Sequence, residues 1–367
     1  MVNLVVPDNH PSIPAAVAAL PPTGPNDIYV RTGTYDLNPV MKWPPNQIAA
    51  KPQLKLHGDG IDKTIVRMAP TQALSMQMRC EMLASLANVS DFTLEDMTLN
   101  QMVNPDNQGY NCINFRGGTA HSNIAIRRVK TINSFGSGIE VPRVMGLTVE
   151  ACEVDNVWTG IDFNGSNISV QRNKVSHCAG DAIFPEGVAT DVTINYNVID
   201  TFGDTSIDIT ANDVLGPPHQ RVKAQHNTIL NGNDAIRITH ADIVEISGNT
   251  VKNFNTMSID SGRGLPSNVW VHDNLFEDFG KLVSRKTYSG SGIGGDGANG
   301  LLIENNVMIS GRADALWAVN IGTSSTVRNN ALTVPGKVGN AAVKCLGIVQ
   351  GNYENKKLSA RAKRVAV

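Results

Sequence analysis

The feature that most constrains this chain is a short motif that returns about every two dozen residues. Ile168-Ser-Val170-Gln-Arg-Asn173-Lys-Val175 recurs as Val192-Thr-Ile194-Asn-Tyr-Asn197-Val-Ile199 and as Val222-Lys-Ala224-Gln-His-Asn227-Thr-Ile229. It returns as Val244-Glu-Ile246-Ser-Gly-Asn249-Thr-Val251 and as Val269-Trp-Val271-His-Asp-Asn274-Leu-Phe276. Later copies centre on Asn306, Asn330 and Asn352, while earlier ones put Met97, Val129 and Cys152 in the Asn position. The intervals are 24 residues from 173 to 197, 22 from 227 to 249, 25 from 249 to 274 and 22 from 330 to 352. Two longer intervals, 30 from 197 to 227 and 32 from 274 to 306, carry added loops. A unit this short, made of alternating β runs and turn residues, fits one coil of a solenoid and leaves no room for a helix in each repeat.

A second marker follows each Asn by about ten residues: Gly138-Ile139-Glu140, Gly160-Ile161-Asp162, Ala182-Ile183-Phe184, Ser206-Ile207-Asp208, Ala235-Ile236-Arg237 and Ser258-Ile259-Asp260. Equivalent residues of stacked coils lie over one another. Ile139, Ile161, Ile183, Ile207, Ile236 and Ile259 are therefore expected to form one inward column, and strand alternation turns the next residue outward. The recurring Asn is expected to be structural, its amide bonding turn backbone that would otherwise be buried and unpaired.

The N-terminal segments extend the pattern. Ser12-Ile13-Pro14-Ala15-Ala16-Val17-Ala18-Ala19-Leu20 reads as a short helix, Asp27-Ile28-Tyr29-Val30-Arg31-Thr32-Gly33 as an opening strand, and Leu54-Lys-Leu56-His-Gly58-Asp-Gly60 as its next turn. Together these features resemble the right-handed parallel β-helix of pectate lyases, polygalacturonases, alginate epimerases and phage tailspikes, from about Ile28 to Asn352. The resemblance implies an all-β chain, a single-stranded right-handed parallel β-helix with a short N-terminal capping helix. The expected division is a cap over 1–27, the solenoid over 28–353 and a basic tail over 354–367.

Composition narrows the partners. Lys+Arg 31 against Asp+Glu 33 gives a formal net charge of −2, which supplies no bulk field for nucleic acid or anionic lipid. No apolar run approaches the roughly 18 residues of a membrane span. Cys80, Cys112, Cys152, Cys178 and Cys345 lack metal spacing and are odd in number, so buried free thiols are expected. The first residues carry no export-signal pattern, which leaves the compartment open.

The outward column reads Asn114, Glu140, Asp162, Phe184, Asp208, Arg237, Asp260 and Ser284. The next outward position reads Arg116, Pro142, Asn164, Glu186, Thr210, Thr239, Gly262 and Lys286. A merely solvated face is the plain alternative, but Asp is disfavoured in strands and like charges in one column are costly. A cleft centred on Asp208 is therefore expected, with Asp208, Asp260, Arg237, Asp162 and Glu186 as catalytic candidates. Glu140, Phe184, Asn164, Thr210, Thr239, His240 and Lys286 are candidates for substrate contact. Loops 211–219 and 288–297 would wall the cleft.

Paired carboxylates point to glycoside hydrolysis or transglycosylation, with an oligo- or polysaccharide as partner and self-association of the solenoid as a further option. A second reading is a polysaccharide lyase or C5-epimerase acting on a uronate polymer. There Arg237 would neutralise the substrate carboxylate and Ca²⁺, a cofactor only on that reading, would sit between Asp208 and Asp260. A third is a non-enzymatic glycan-binding or phage tail solenoid. The DPHD motif of alginate epimerases and the NTD and RIK motifs of polygalacturonases are absent, so no named family's catalytic residues carry over.

Overall fold

Three short strands separated by tight bends make each coil, and every strand pairs in parallel with its counterpart one coil away. The computed structural model describes all residues except 23, 38–47, 70–80, 86, 103–109, 201–202, 212–215, 263, 281–290, 323–324 and 355–367. Cys80, Ser284, Lys286 and nearly all of the expected basic tail thus lie outside the described residues. The chain divides into two compact units, Met1–Asp204 and Thr205–Val367. Each is built as a right-handed parallel β-helix.

In the first unit, one face stacks Ile48–Ala50, Leu83–Ser85 and Ile113–Asn114 under the opening halves of the long strands Ile139–Glu150, Ile161–Gln171 and Ile183–Asn195. A second face runs from Val2–Val6 through Asn26–Val30, Leu54–His57, Ser90–Asn100 and His121–Ile132 to the later halves of the same long strands. A third includes Glu153–Val157, Lys174–Cys178 and Val198–Asp200. The helix Ile13–Ala19 forms as expected. Ser12 caps it by accepting a hydrogen bond from the Ala15 amide, and a proline occupies its first turn. The stack starts earlier than the expected cap boundary, because Val2–Val6 already pairs with Asn26–Val30 ahead of that helix.

The second unit repeats the plan. Thr205–Thr210, Asp234–Thr239, Thr256–Ile259, Ser291–Gly295 and Trp317–Ile321 form its first face, and His219–Gln225, Ala241–Ser247, Ser267–His272 and Leu302–Glu304 run along the second. Two expectations are corrected here. Asp234 pairs with Thr256, yet Arg237 pairs with Ser258 and Ile238 with Ile259. The strand Asp234–Thr239 carries one extra residue, a bulge, so Ile259 stacks on Ile238 and leaves the column of Ile236. Second, residues 291–295 are not a loop but a buried strand that pairs with Thr256–Ile259. Glycine is required there, since a Cβ on Gly295 would lie 1.9 Å from the Ile259 carbonyl oxygen.

The cores are apolar columns. Ile139, Ile161 and Ile183 align in register and have no exposed surface, as do Ile207 and Ile236 in the second unit. The Asn ladder closes one bend of each coil. The residue before each ladder position adopts a left-handed conformation, including Arg172, Tyr196, His226, Asp273, Asn305 and Asn329. That conformation is unfavourable for non-glycine residues, and the amide bonds offset it. Asn249 Oδ1 accepts from the Asn227 backbone N–H at 2.9 Å and from its side chain at 3.0 Å. Asn249 Nδ2 donates to the Ala224 carbonyl at 2.8 Å and to Asn274 Oδ1 at 2.9 Å. The same pattern links Asn173 to Asn197, and Asn274 through Asn306 and Asn330 to Asn352.

A second amide ladder, not anticipated from sequence, joins Asn156 to Asn133 and Asn133 to Asn100, and Asn253 to Asn231. Four of its five residues, Asn133, Asn156, Asn231 and Asn253, are again left-handed. Cys112, Cys152 and Cys178 are buried free thiols and Cys345 is half-buried. Burial pushes the Cys112 and Cys152 thiols up to about 12, which makes them poor nucleophiles.

Two substitutions check this architecture by denaturant unfolding. Asn249→Ala removes the acceptor of two buried Asn227 donors and should cost about 2–6 kcal/mol, at about 1–3 kcal/mol per group. Ile161→Ala should cost about 2–5 kcal/mol through its cavity. An unchanged midpoint in either variant contradicts the register above.

Candidate active site

The marker strands of the first unit bring acidic residues together on successive coils. Glu140 and Asp162 are register partners, and Asp162 is in turn paired with Phe184. Adjacent coils lie about 4.8 Å apart, so neighbouring side chains cannot avoid one another. Glu186 reaches the cluster by irregularity. Phe163 pairs with Pro185 but Gly165 with Ala189, so the strand Ile183–Asn195 holds extra residues there, and Glu186 lies in that bulge beside Gly187 with φ of 80°. Bulges re-aim side chains in this way. The result is a triad in which one carboxylate oxygen each of Glu140, Asp162 and Glu186 lies within 4.8 Å of the others.

A single arginine organises the triad. Arg116 Nε donates to Glu140, and its NH2 group stands 3.8 Å from Glu186. Asn111 donates to the second Glu140 oxygen and accepts the Ser137 amide at 2.5 Å. Arg116 is itself held by its backbone. Its N–H donates to Asn114 Oδ1 at 2.7 Å, and its carbonyl accepts from the Arg143 guanidinium at 2.5 Å. Asn114 also donates to Glu81 at 3.1 Å.

Burial differs sharply within the triad. Glu140 is 1% exposed and Asp162 7%, whereas the Glu186 side chain is 39% exposed. Burial, followed by repulsion from Glu140 and Glu186, raises Asp162 well above the ordinary carboxylate range. Burial also raises Glu140, against the pull of Arg116. Burial works against the charge of Arg116, but Glu140, with Glu186 and Asp162 behind it, holds its pKa above the usual value. Glu81 is raised by burial, with its Asn114 hydrogen bond opposing. The three oxygens are close enough together for a hard cation, and the Arg116 guanidinium bonds Glu140 and approaches Glu186.

The other expected residues are distributed as follows. Phe184 is half-buried beside Asp162, and Asn164 accepts the Arg143 amide at 2.6 Å where the register of their two strands shifts. In the second unit, Asp208 and Arg237 are register partners and form an ion pair at 2.9 Å; Arg237 also meets Asp234 at 3.5 Å. Thr210 donates to Asp208, and Thr239 is buried beyond Arg237 on the same strand. The bulge described above sets Ser258, not Asp260, beside Arg237. Asp260 instead accepts the Gly262 amide at 3.1 Å, a local turn bond. The expected column therefore runs from Asp208 to Arg237 and stops there, without Asp260, and among the described residues no three-group metal cluster includes Asp208 or Asp260. His240 ends its strand in a left-handed bend with φ of 46° and lies against Gly264. Of the walling loops, Ala211 and His219 are buried and 212–215 lie outside the described residues. Asn111 and Glu81 were not anticipated. Their signal was slight: a lone outward arginine one coil before Glu140, flanked by amides.

The raised pKa has a thermodynamic consequence. A carboxyl that titrates higher in the folded chain binds more protons when folded, so its cost is absent below the unfolded value near 3.8, grows as pH rises and is full above the folded pKa. Asp162→Asn should therefore melt above the parent at pH 7, with the gap closing as pH falls toward about 4. Thermal scans across that range check it; a parent more stable than the variant at pH 7 contradicts the burial assigned to this carboxyl.

Comparison with known proteins follows the architecture. The family model described as "Right handed beta helix region" matches residues 84–229 and 214–339. No curated protein matches the chain in sequence. Among solved structures, the catalytic domain of a GH87 α-1,3-glucanase in complex with nigerose is similar with a TM-score of 0.56 and 13% identity, over 89% of this chain and 64% of that one. A variant of such a domain in complex with tetrasaccharides gives a TM-score of 0.57 at 13% identity, over 89% and 64% of the two chains. DFA-IIIase from Arthrobacter chlorophenolicus A6 in complex with GF2 gives 0.54 at 10% identity, over 89% and 88%. This chain thus spans slightly under two thirds of the glucanase domains, and the likeness at these identities is one of fold.

Proposed function

The chain belongs to the right-handed β-helix family, and we propose that on this scaffold it is a carbohydrate-active enzyme, a glycoside hydrolase or transglycosidase acting by carboxylate acid–base chemistry at the Glu140–Asp162–Glu186 triad. The observation that carries the reading is the contrast inside the triad: a buried acid, Asp162, with its pKa raised well above the usual range, beside a solvent-facing carboxyl within 4.8 Å. A protonated general acid next to a second carboxylate is what glycosidic cleavage requires. Structures with the same fold include proteins crystallised with oligosaccharides, which supports a glycan as ligand.

The chemistry follows from the positions. Asp162 donates its proton to the glycosidic oxygen as the bond to the anomeric carbon breaks. Glu186, at the mouth, attacks that carbon and forms a glycosyl ester. Asp162, now ionised, takes a proton from water, whose oxygen displaces Glu186 and restores both carboxyl groups. A second sugar hydroxyl in place of water gives transglycosylation. Carboxyl groups about 5–5.5 Å apart support this double displacement, whereas single displacement with inversion needs about 6.5–9.5 Å; the short triad spacing favours retention. Three carboxyl groups against one arginine suit a neutral glycan better than a polyuronate. The lyase reading loses its geometric support, since Arg237 is engaged by Asp208 and Asp234 and Asp260 is out of register.

The test is a glycan panel read by product mass and by the ultraviolet absorbance of unsaturated ends. Saturated products with retained anomeric configuration are expected. Asp162→Asn and Glu186→Gln should each lower kcat about 100-fold or more with folding intact. Activity should survive chelation. Unsaturated products, or full activity in both variants, overturn the proposal.

A further inference from the structure

We infer that Arg116 is a positioning residue that decides which carboxyl of the triad keeps the proton: it neutralises Glu140 from one side, leans toward Glu186 from the other, and leaves Asp162 as the proton holder. The inference deepens the functional reading above and rests on it for its catalytic meaning, but its electrostatic content stands alone.

Three carboxyl groups within 4.8 Å cannot all be ionised cheaply, so at least one proton is shared among them. Position alone does not select its site. Glu140 and Asp162 are both buried, at 1% and 7% exposed, and burial raises both carboxyls, so burial is not what keeps the proton off Glu140. The hydrogen bonds do that. Glu140 accepts Arg116 at one oxygen and Asn111 at the other, an arrangement that favours the ionised form. Glu186 is served by the same guanidinium at 3.8 Å and by solvent.

Among the described residues, the charged groups that act most strongly on Asp162 are Glu140 from the preceding coil, Glu186 from the following one, and Arg116 across both. Arg116 is fixed for this task. Asn114 holds its amide and Arg143 its carbonyl, so the guanidinium is aimed by its own backbone although the side chain is 60% exposed. Its role is indirect. It touches Glu140 and approaches Glu186, and so sets the protonation of the group between them.

Carboxyl carbon NMR titration of the resting protein tests this without any substrate. In the parent chain Asp162 should titrate highest of the three. In Arg116→Gln, Glu140 should overtake it or titrate together with it, and where a substrate is in hand the basic limb of the kcat profile should move by about one pH unit. Arg116→Lys, which keeps the charge but loses the planar donor, should keep Asp162 highest with a narrowed gap, and serves if the Gln variant does not fold. An unaltered titration order in Arg116→Gln, or an unaltered gap in Arg116→Lys, overturns the inference. If the order shifts as expected but no glycan is turned over, the positioning role stands and the enzymatic reading falls.

Discussion

Parallel stacking of coils about 4.8 Å apart is the constraint on which everything else here depends. It forces each side chain to share its surroundings with the residue one repeat earlier and one repeat later. Inside the coils the sharing is favourable, and isoleucine lies on isoleucine in columns such as Ile139, Ile161 and Ile183. At the bends it demands hydrogen-bond partners, which the Asn ladder supplies coil by coil. Outside, it sets Glu140 beside Asp162 with no means of separation. Like charges in that column destabilise the fold, and a proton held at the site lessens the strain. The reactivity proposed for the triad is thus a by-product of the same register that builds the core.

Much of this was legible in the sequence because solenoid geometry is periodic. The spacing of Asn173 and Asn197 located a bend, and alternation along Ile161-Asp162-Phe163 assigned a core side and an outer side. What the period could not express were its local failures. One extra residue between Asp234 and Arg237 moved Ile259 and Asp260 out of the expected columns. The opposite surprise came from the irregularity after Phe163, which carried Glu186 into contact range of Glu140 and Asp162. Bulges are local events with no recurring signature, so the cluster's members could be named from sequence while its centre was expected elsewhere, at Asp208. The second amide ladder escaped for a different reason: Asn133, Asn156, Asn231 and Asn253 recur at the same period, but with interruptions at His177 and Asp278.

The two outward carboxylate–arginine groups also differ in character. Asp208 and Asp234 both pair with Arg237, the two carboxylates are buried, and Thr210 donates to Asp208. Such a buried ion-paired network suits a structural role, because breaking it would leave an uncompensated buried charge. Around Arg116 the balance differs. Among the described residues, three carboxyl groups lie near one guanidinium, and the Glu186 side chain is partly exposed, where a ligand can reach it. That imbalance, rather than the number of acidic residues, separates a candidate reaction centre from a clasp.

The most direct measurement of the central claim is a crystal structure of the Glu186→Gln variant bound to an oligosaccharide drawn from the panel. The account predicts a glycosidic oxygen within about 2.6–3.2 Å of an Asp162 carboxyl oxygen, with the anomeric carbon facing residue 186. A glycan seated on another face, with Asp162 and Arg116 untouched, would contradict it.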